Sequence, residues 1–66
     1  MNIFINGQAE DVPEALPLSE LIQRLDLAGK RVAVEINEEL VPRSEHAQCV
    51  LQPGDRVEIV QAIGGG

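Results

Sequence analysis

Aromatic side chains are almost missing from this 66-residue chain: Phe4 stands alone, with no Trp or Tyr. Stacking on bases or sugar rings is thereby excluded as a main mode of binding, and any core has to be aliphatic. Cysteine and histidine are as scarce. Cys49 and His46 are each the only one of their kind. No disulfide can close within the chain, and no cluster reaches the ligand count of a structural metal site. Basic residues are few as well, 5 Lys and Arg against 11 Asp and Glu, for a net charge of -6. Nucleic acid, whose phosphates demand a basic patch, is excluded as a partner on that ground. No apolar run approaches the roughly 20 residues needed to span a bilayer. Met1 leads straight into a strand-like stretch, without the basic segment and long apolar run of a secretory leader. A lone thiol fits a reducing compartment. The expectation is a cytoplasmic protein of one domain, with no metal and no cofactor of its own.

Catalytic constellations are also lacking. No nucleophile stands beside a base, and no glycine-rich phosphate loop is present. The expectation is a protein that is not an enzyme. Cys49, among Gln48, Val50 and Leu51, reads as a small packing residue. His46 reads as a surface residue and Glu38-Glu39 as a solvated turn. Arg43 is either a plain surface charge or a partner contact.

What is present is a set of short elements with single apolar faces. Met1, Ile3 and Ile5 alternate with Asn2 and Phe4, the pattern of a strand buried on one face. Asn6-Gly7 follows, a strong hairpin signal because a type I′ turn needs positive φ at both central positions. The return strand, Gln8 to Val12, carries Glu10 and Asp11 before Pro13, which suits a protected edge. Leu18, Leu21, Ile22 and Leu25 fall at i, i+3, i+4 and i+7 and predict one helix, started at Pro17 and ended by Gly29. Val32, Val34 and Ile36 alternate in a third strand. Leu40-Val41 is a very short fourth, and Ser44 is placed to cap a helical turn reaching Gln48. Pro53-Gly54-Asp55 forms a turn. The last strand, Arg56 to Ile63, turns Val57 and Ile59 one way and Glu58, Val60 and Ala62 the other. One helix on one face of one mixed sheet is the simplest packing of these parts.

The chain closes with Ile63-Gly64-Gly65-Gly66. Three glycines contribute no packing and raise the entropy lost on folding. They do supply a ribbon without side chains that reaches about 10 Å when extended, long enough to thread a narrow channel. The bland alternative is a frayed end. The expected organisation is a compact unit over residues 1–63 and a glycine tail over 64–66.

Several of these stretches together resemble a known family. They are the hairpin start, the helix reading Leu18-x-Glu20-Leu21-Ile22, and the run Val32-Ala33-Val34-Glu35-Ile36-Asn37. Val41-Pro42-Arg43, Pro53-Gly54-Asp55, Val57-Glu58-Ile59-Val60 and the terminal glycines complete the set. In order and length they are similar to the ThiS/MoaD family of ubiquitin-like sulfur carriers, over essentially the whole chain. Pro17 departs from the threonine-like cap that the family often has at the helix start.

The resemblance implies an α+β, β-grasp (ubiquitin-like) fold of four to five strands and one main helix. It also implies a sulfur carrier protein of thiamine biosynthesis. An E1-like (ThiF-like) adenylating enzyme would join Gly66 to AMP, with ATP used by that partner. A sulfur-donating enzyme would convert the adenylate to a thiocarboxylate, and a thiazole synthase (ThiG-like) would take the sulfur. Gly64 and Gly65 would thread the tail into the partners' sites. In a β-grasp sheet the first and last strands are neighbours, which would bring Phe4, Val60 and Ala62 together as a docking face. Related carriers serve molybdopterin or tRNA thiolation, and a noncovalent ubiquitin-like module is the alternative from a different class. The short length and the glycine end favour the thiamine branch.

Overall fold

The computed structural model describes residues 1–61; Ala62, Ile63 and the Gly64-Gly65-Gly66 tail lie outside the described residues. The expected boundary between compact unit and tail lies there too. Strand β1, Asn2–Ile5, turns at Asn6-Gly7 into β2, Gln8–Asp11. Both turn residues have positive φ, 49° and 84°, as a type I′ turn requires. Helix α1, Leu18–Arg24, follows, then β3, Val32–Ile36, and β4, Glu39–Val41. A 3-10 turn over Arg43–Glu45 leads to β5, Arg56–Gln61. The strands form one sheet in the order β2-β1-β5-β3-β4. β5 runs parallel to β1 and antiparallel to β3, so the sheet is mixed, as expected, and β2 is an edge.

One face of this sheet meets the helix. Ile3, Val34, Val57 and Ile59 point into a core closed from above by Leu18, Leu21 and Ile22, with Val12, Leu16 and Leu51 sealing the sides. Every one of these is aliphatic. Burial of so few residues is close to the least that holds a chain of this size together, where one core supplies about 3–5 kcal/mol.

The helix departs from expectation at both ends, for reasons of backbone hydrogen bonding. Pro17 sits at the N-cap with no side-chain cap. The first free amides are instead taken by the connector after β4: Leu18 N–H donates to the Cys49 carbonyl at 2.8 Å and Ser19 N–H to that of His46 at 3.1 Å. Tertiary contact thus replaces the missing cap. At the other end Gly29 does not stop the helix, which is over at Arg24. Leu27 N–H donates to the Ile22 carbonyl and Asp26 N–H to that of Gln23, both at 3.0 Å. This pair of bonds is a Schellman motif, whose left-handed position is filled by Asp26 at φ 61°. Leu25 therefore belongs to the cap, and it is exposed rather than part of the buried face.

Asp26→Gly should therefore stabilise the fold. The left-handed backbone disfavours any side chain by about 1–2 kcal/mol, partly offset by the greater unfolded-state freedom of glycine. A melting midpoint raised by roughly 3–8 °C is expected. A lowered midpoint would mean that the Asp26 carboxylate makes a stabilising contact that outweighs backbone strain.

Three further expectations are corrected. The second hairpin turns at Asn37-Glu38, with φ of 52° and 69°, and Glu39 already pairs with Ile36 in the ladder. Glu38-Glu39 is thus not the turn. Ser44 caps nothing, because it lies inside the 3-10 turn, whose N-cap is Pro42. His46 is not a surface residue but is buried, 7% exposed. Its Nε2 stands 3.1 Å from the Val41 carbonyl, and a carbonyl only accepts, so Nε2 carries the proton there. The ring ties the end of β4 to the connector that caps the helix.

Candidate docking face

With one face of the sheet under the helix, the other is open. Strand alternation sends Asn2 and Phe4 of β1 to it, Ala33 and Glu35 of β3, Leu40 of β4, and Arg56, Glu58 and Val60 of β5. The register fixes their neighbours. Phe4 lies opposite Ala9 on one side and Arg56 on the other. Glu58 faces Glu35, which in turn faces Leu40. Val60 faces Ala33.

Phe4 and Val60 thus share the open face, at 40% and 65% exposure, but they are not brought together. Arg56, the neighbour of Phe4, and Val60 are four positions apart along β5, a run of about 13 Å. Glu58 stands between them. Ala62 lies outside the described residues. The face therefore has two apolar ends with an acidic middle. At one end a shallow open depression is lined by Phe4, Asn6, Gly7, Arg56, Val57 and Glu58. At the other, a second is lined by Arg31, Val32, Ala33, Arg43 and Val60. Arg43 is thus beside Val60, one of the expected docking residues.

Sequence reasoning missed Leu40, which is 66% exposed and extends the apolar margin across β4. The alternation of Leu40 with half-buried Val41 carried the signal, but two residues are a short pattern. The directly opposed Glu35 and Glu58 are like charges across a strand pair, an arrangement that disfavours the folded state.

The remaining candidates stay apart from this face. Cys49 is half-buried. Burial first, then the carboxylates of Asp55 and Glu45, push its thiol up from the ordinary value. Such a thiol is protonated at neutral pH and is a poor nucleophile, which argues against a sulfur relay through Cys49. Among the described residues no helix is long and apolar enough to cross a membrane.

The ThiS family model matches residues 3–66. The chain belongs to the ThiS family. This ThiS-family chain is 36% identical over 66 residues to the sulfur carrier protein ThiS of Escherichia coli K12, and the match spans all of both proteins. It is 39% identical, again over its whole length, to a thiazole synthase of Paramagnetospirillum magneticum, but there it spans only 20% of the relative. Among solved structures, the crystal structure of the thiamine biosynthesis protein ThiS from Geobacter metallireducens superposes with a TM-score of 0.86. That pair shares 35% identity, with complete coverage of both chains. The five-stranded sheet with one helix is therefore the β-grasp fold of this ThiS-family chain.

Proposed function

We propose that the protein is a sulfur carrier in thiamine thiazole formation and acts as a cosubstrate rather than as a catalyst. The observation that carries this reading is the end-to-end match to the Escherichia coli sulfur carrier. A carboxylate is a poor electrophile, and a terminal one, with a pKa of about 3.3–3.7, stays ionised in the cell. An E1-like adenylating enzyme would remedy this: a Gly66 carboxylate oxygen attacks the α-phosphate of ATP and pyrophosphate leaves. Hydrosulfide, supplied by the sulfur donor, then attacks the acyl carbon, AMP leaves, and a thiocarboxylate remains. Gly64 and Gly65 give the tail the slenderness to enter the partners' sites. The thiazole synthase relative, which contains a stretch matching this whole chain, supports a thiazole synthase as the protein that takes the sulfur.

The deciding experiment is the intact mass of the protein after incubation with its adenylating enzyme, ATP and a sulfur source. The expected gain is one oxygen exchanged for one sulfur, mapped to Gly66. No change, with enzyme and donor active on a control carrier, would overturn the reading. Deleting Gly65 and Gly66 separates the noncovalent alternative, since a carrier loses all function and a docking module keeps its partner.

The open face is the docking surface in this reading, supported by the exposure of Phe4, Leu40 and Val60 on one side of the sheet. Buried aromatic anchors dominate many interfaces, and their loss commonly weakens binding about tenfold or more. Phe4→Asp should do this to the adenylating complex, measured by calorimetry. Its melting midpoint should stay near that of the parent, because Phe4 is outside the core. Unchanged affinity would remove Phe4 from the docking surface.

A further inference from the structure

The two flanks of β5 are supported unequally. On the β3 side pairing continues from Ile36 opposite Val57 to Val32 opposite Gln61. On the β1 side it is confined to Phe4 opposite Arg56 and Ile5 opposite Val57, because the chain turns away at Asn6-Gly7. Phe4 N–H donates to the Asp55 carbonyl and Asn6 N–H to that of Val57, each at 2.9 Å. The next rung of a parallel ladder would offer Ile59 an acceptor for its N–H and a donor for its carbonyl. Among the described residues β1 pairing ends at Ile5, and no backbone of that strand reaches Ile59 to supply them.

The side chain of Asn6 supplies both. Its Oδ1 accepts from Ile59 N–H at 2.9 Å, and its Nδ2 donates to the Ile59 carbonyl at 3.3 Å. A primary amide is the one side-chain group that carries the donor and acceptor of a peptide unit, and Asn alone holds it on so short a stem. The Asn6 amide thus stands in for the absent strand. Among the described residues it is the last hold on that flank before β5 ends at Gln61.

We propose that Asn6 is a positioning residue, which clamps the end of β5 and so sets the direction in which the glycine tail is delivered to the adenylating enzyme. The proposal rests on the carrier reading above. It concerns orientation and not chemistry, so its signature is in recognition. Without the clamp the partner has to order the end of β5 when it binds, and ordering of this kind weakens association.

A second asparagine offers the control. Asn37 braces the start of β5: its Nδ2 donates to Asp55 Oδ1 and its Oδ1 accepts from Arg56 N–H, both at 3.0 Å. Asn37→Ala likewise removes two side-chain bonds, one to Arg56 of β5 and one to Asp55 just before it, at the end remote from the tail.

The test is steady-state adenylation of the full chain, read by pyrophosphate release, beside 15N relaxation of the Gln61 amide. Asn6→Ala should raise KM for the carrier about fivefold to tenfold, leave kcat within about twofold, and lower the Gln61 order parameter. Asn6→Asp, which keeps the acceptor for Ile59 N–H and loses the donor, should fall between, and it decides the matter if Asn6→Ala does not fold. Asn37→Ala should keep the parental KM and Gln61 order whatever it does to the melting midpoint. Equal KM shifts for the Asn6 and Asn37 variants would overturn the proposal, as would an unchanged KM and Gln61 order in Asn6→Ala. If the parent itself is not adenylated, the carrier reading fails, and the Gln61 measurement still decides the clamp.

Discussion

Two residues appended after Gly66 should abolish charging altogether. Adenylation needs an ionised carboxylate as nucleophile toward the α-phosphate, and extension turns the Gly66 carboxyl into an amide that has none to offer. The carboxylate moves to a residue with a side chain, at the end of a tail no longer slender where it must be. An orientation error of about 1 Å already lowers rates about a hundredfold, and here the reacting group is displaced by two whole residues. The measurement is intact mass after incubation with enzyme, ATP and sulfur source, beside the parent chain in the same reaction. Sulfur gained by the extended chain would mean that the terminal carboxylate of Gly66 is not the group charged. The fold should be untouched, with the parental melting midpoint.

Leu51→Ala should have the largest effect on stability. Leu51 is 1% exposed, and its backbone N–H is anchored to the Leu16 carbonyl at 2.9 Å, so the backbone is poorly placed to collapse into the space left. Loss of a buried leucine side chain costs about 2–5 kcal/mol. A core of this size supplies only about 3–5 kcal/mol, so the variant should be largely unfolded near physiological temperature. Val50, its neighbour, is 44% exposed, and Val50→Ala should stay within about 0.5 kcal/mol of the parent. Urea titration of the three proteins checks both statements. A folded Leu51→Ala protein with a near-parental midpoint would show that the core tolerates a void at this seam.

Local rules carried much of this architecture into the sequence. Alternation in Met1 to Ile5 and Arg56 to Val60 reports burial directly, because successive strand residues point to opposite faces. Asn6-Gly7 announces its turn because both residues accept positive φ. Asn37-Glu38 did not, since glutamate is a poor choice for that backbone and only the ladder between Ile36 and Glu39 reveals it. Asp26 was hidden in the same way behind the more conspicuous Gly29. His46 is buried by a contact with Val41 that no local pattern encodes. The open face was legible as far as strand neighbours could be inferred from the family resemblance. The spacing of Phe4 and Val60 along β5 needed the register, and the Asn6 bond to Ile59 joins residues far apart in the chain.

That β5 is central to the sheet and last among the described strands has a consequence for biosynthesis. Until Arg56 to Gln61 have left the ribosome, the sheet exists only as two separate hairpins, β1 with β2 and β3 with β4. Isolated two-stranded hairpins are marginal in water, and the helix has no side-chain cap of its own at its N-terminus. The contacts that close the domain join the first strand to the last, so loop closure spans nearly the whole chain and folding is paced by its slowest, most distant pairing. An abandoned nascent chain stopping short of β5 is therefore left without a stable sheet and without the glycines. A folded domain vouches that translation has run nearly to the tail.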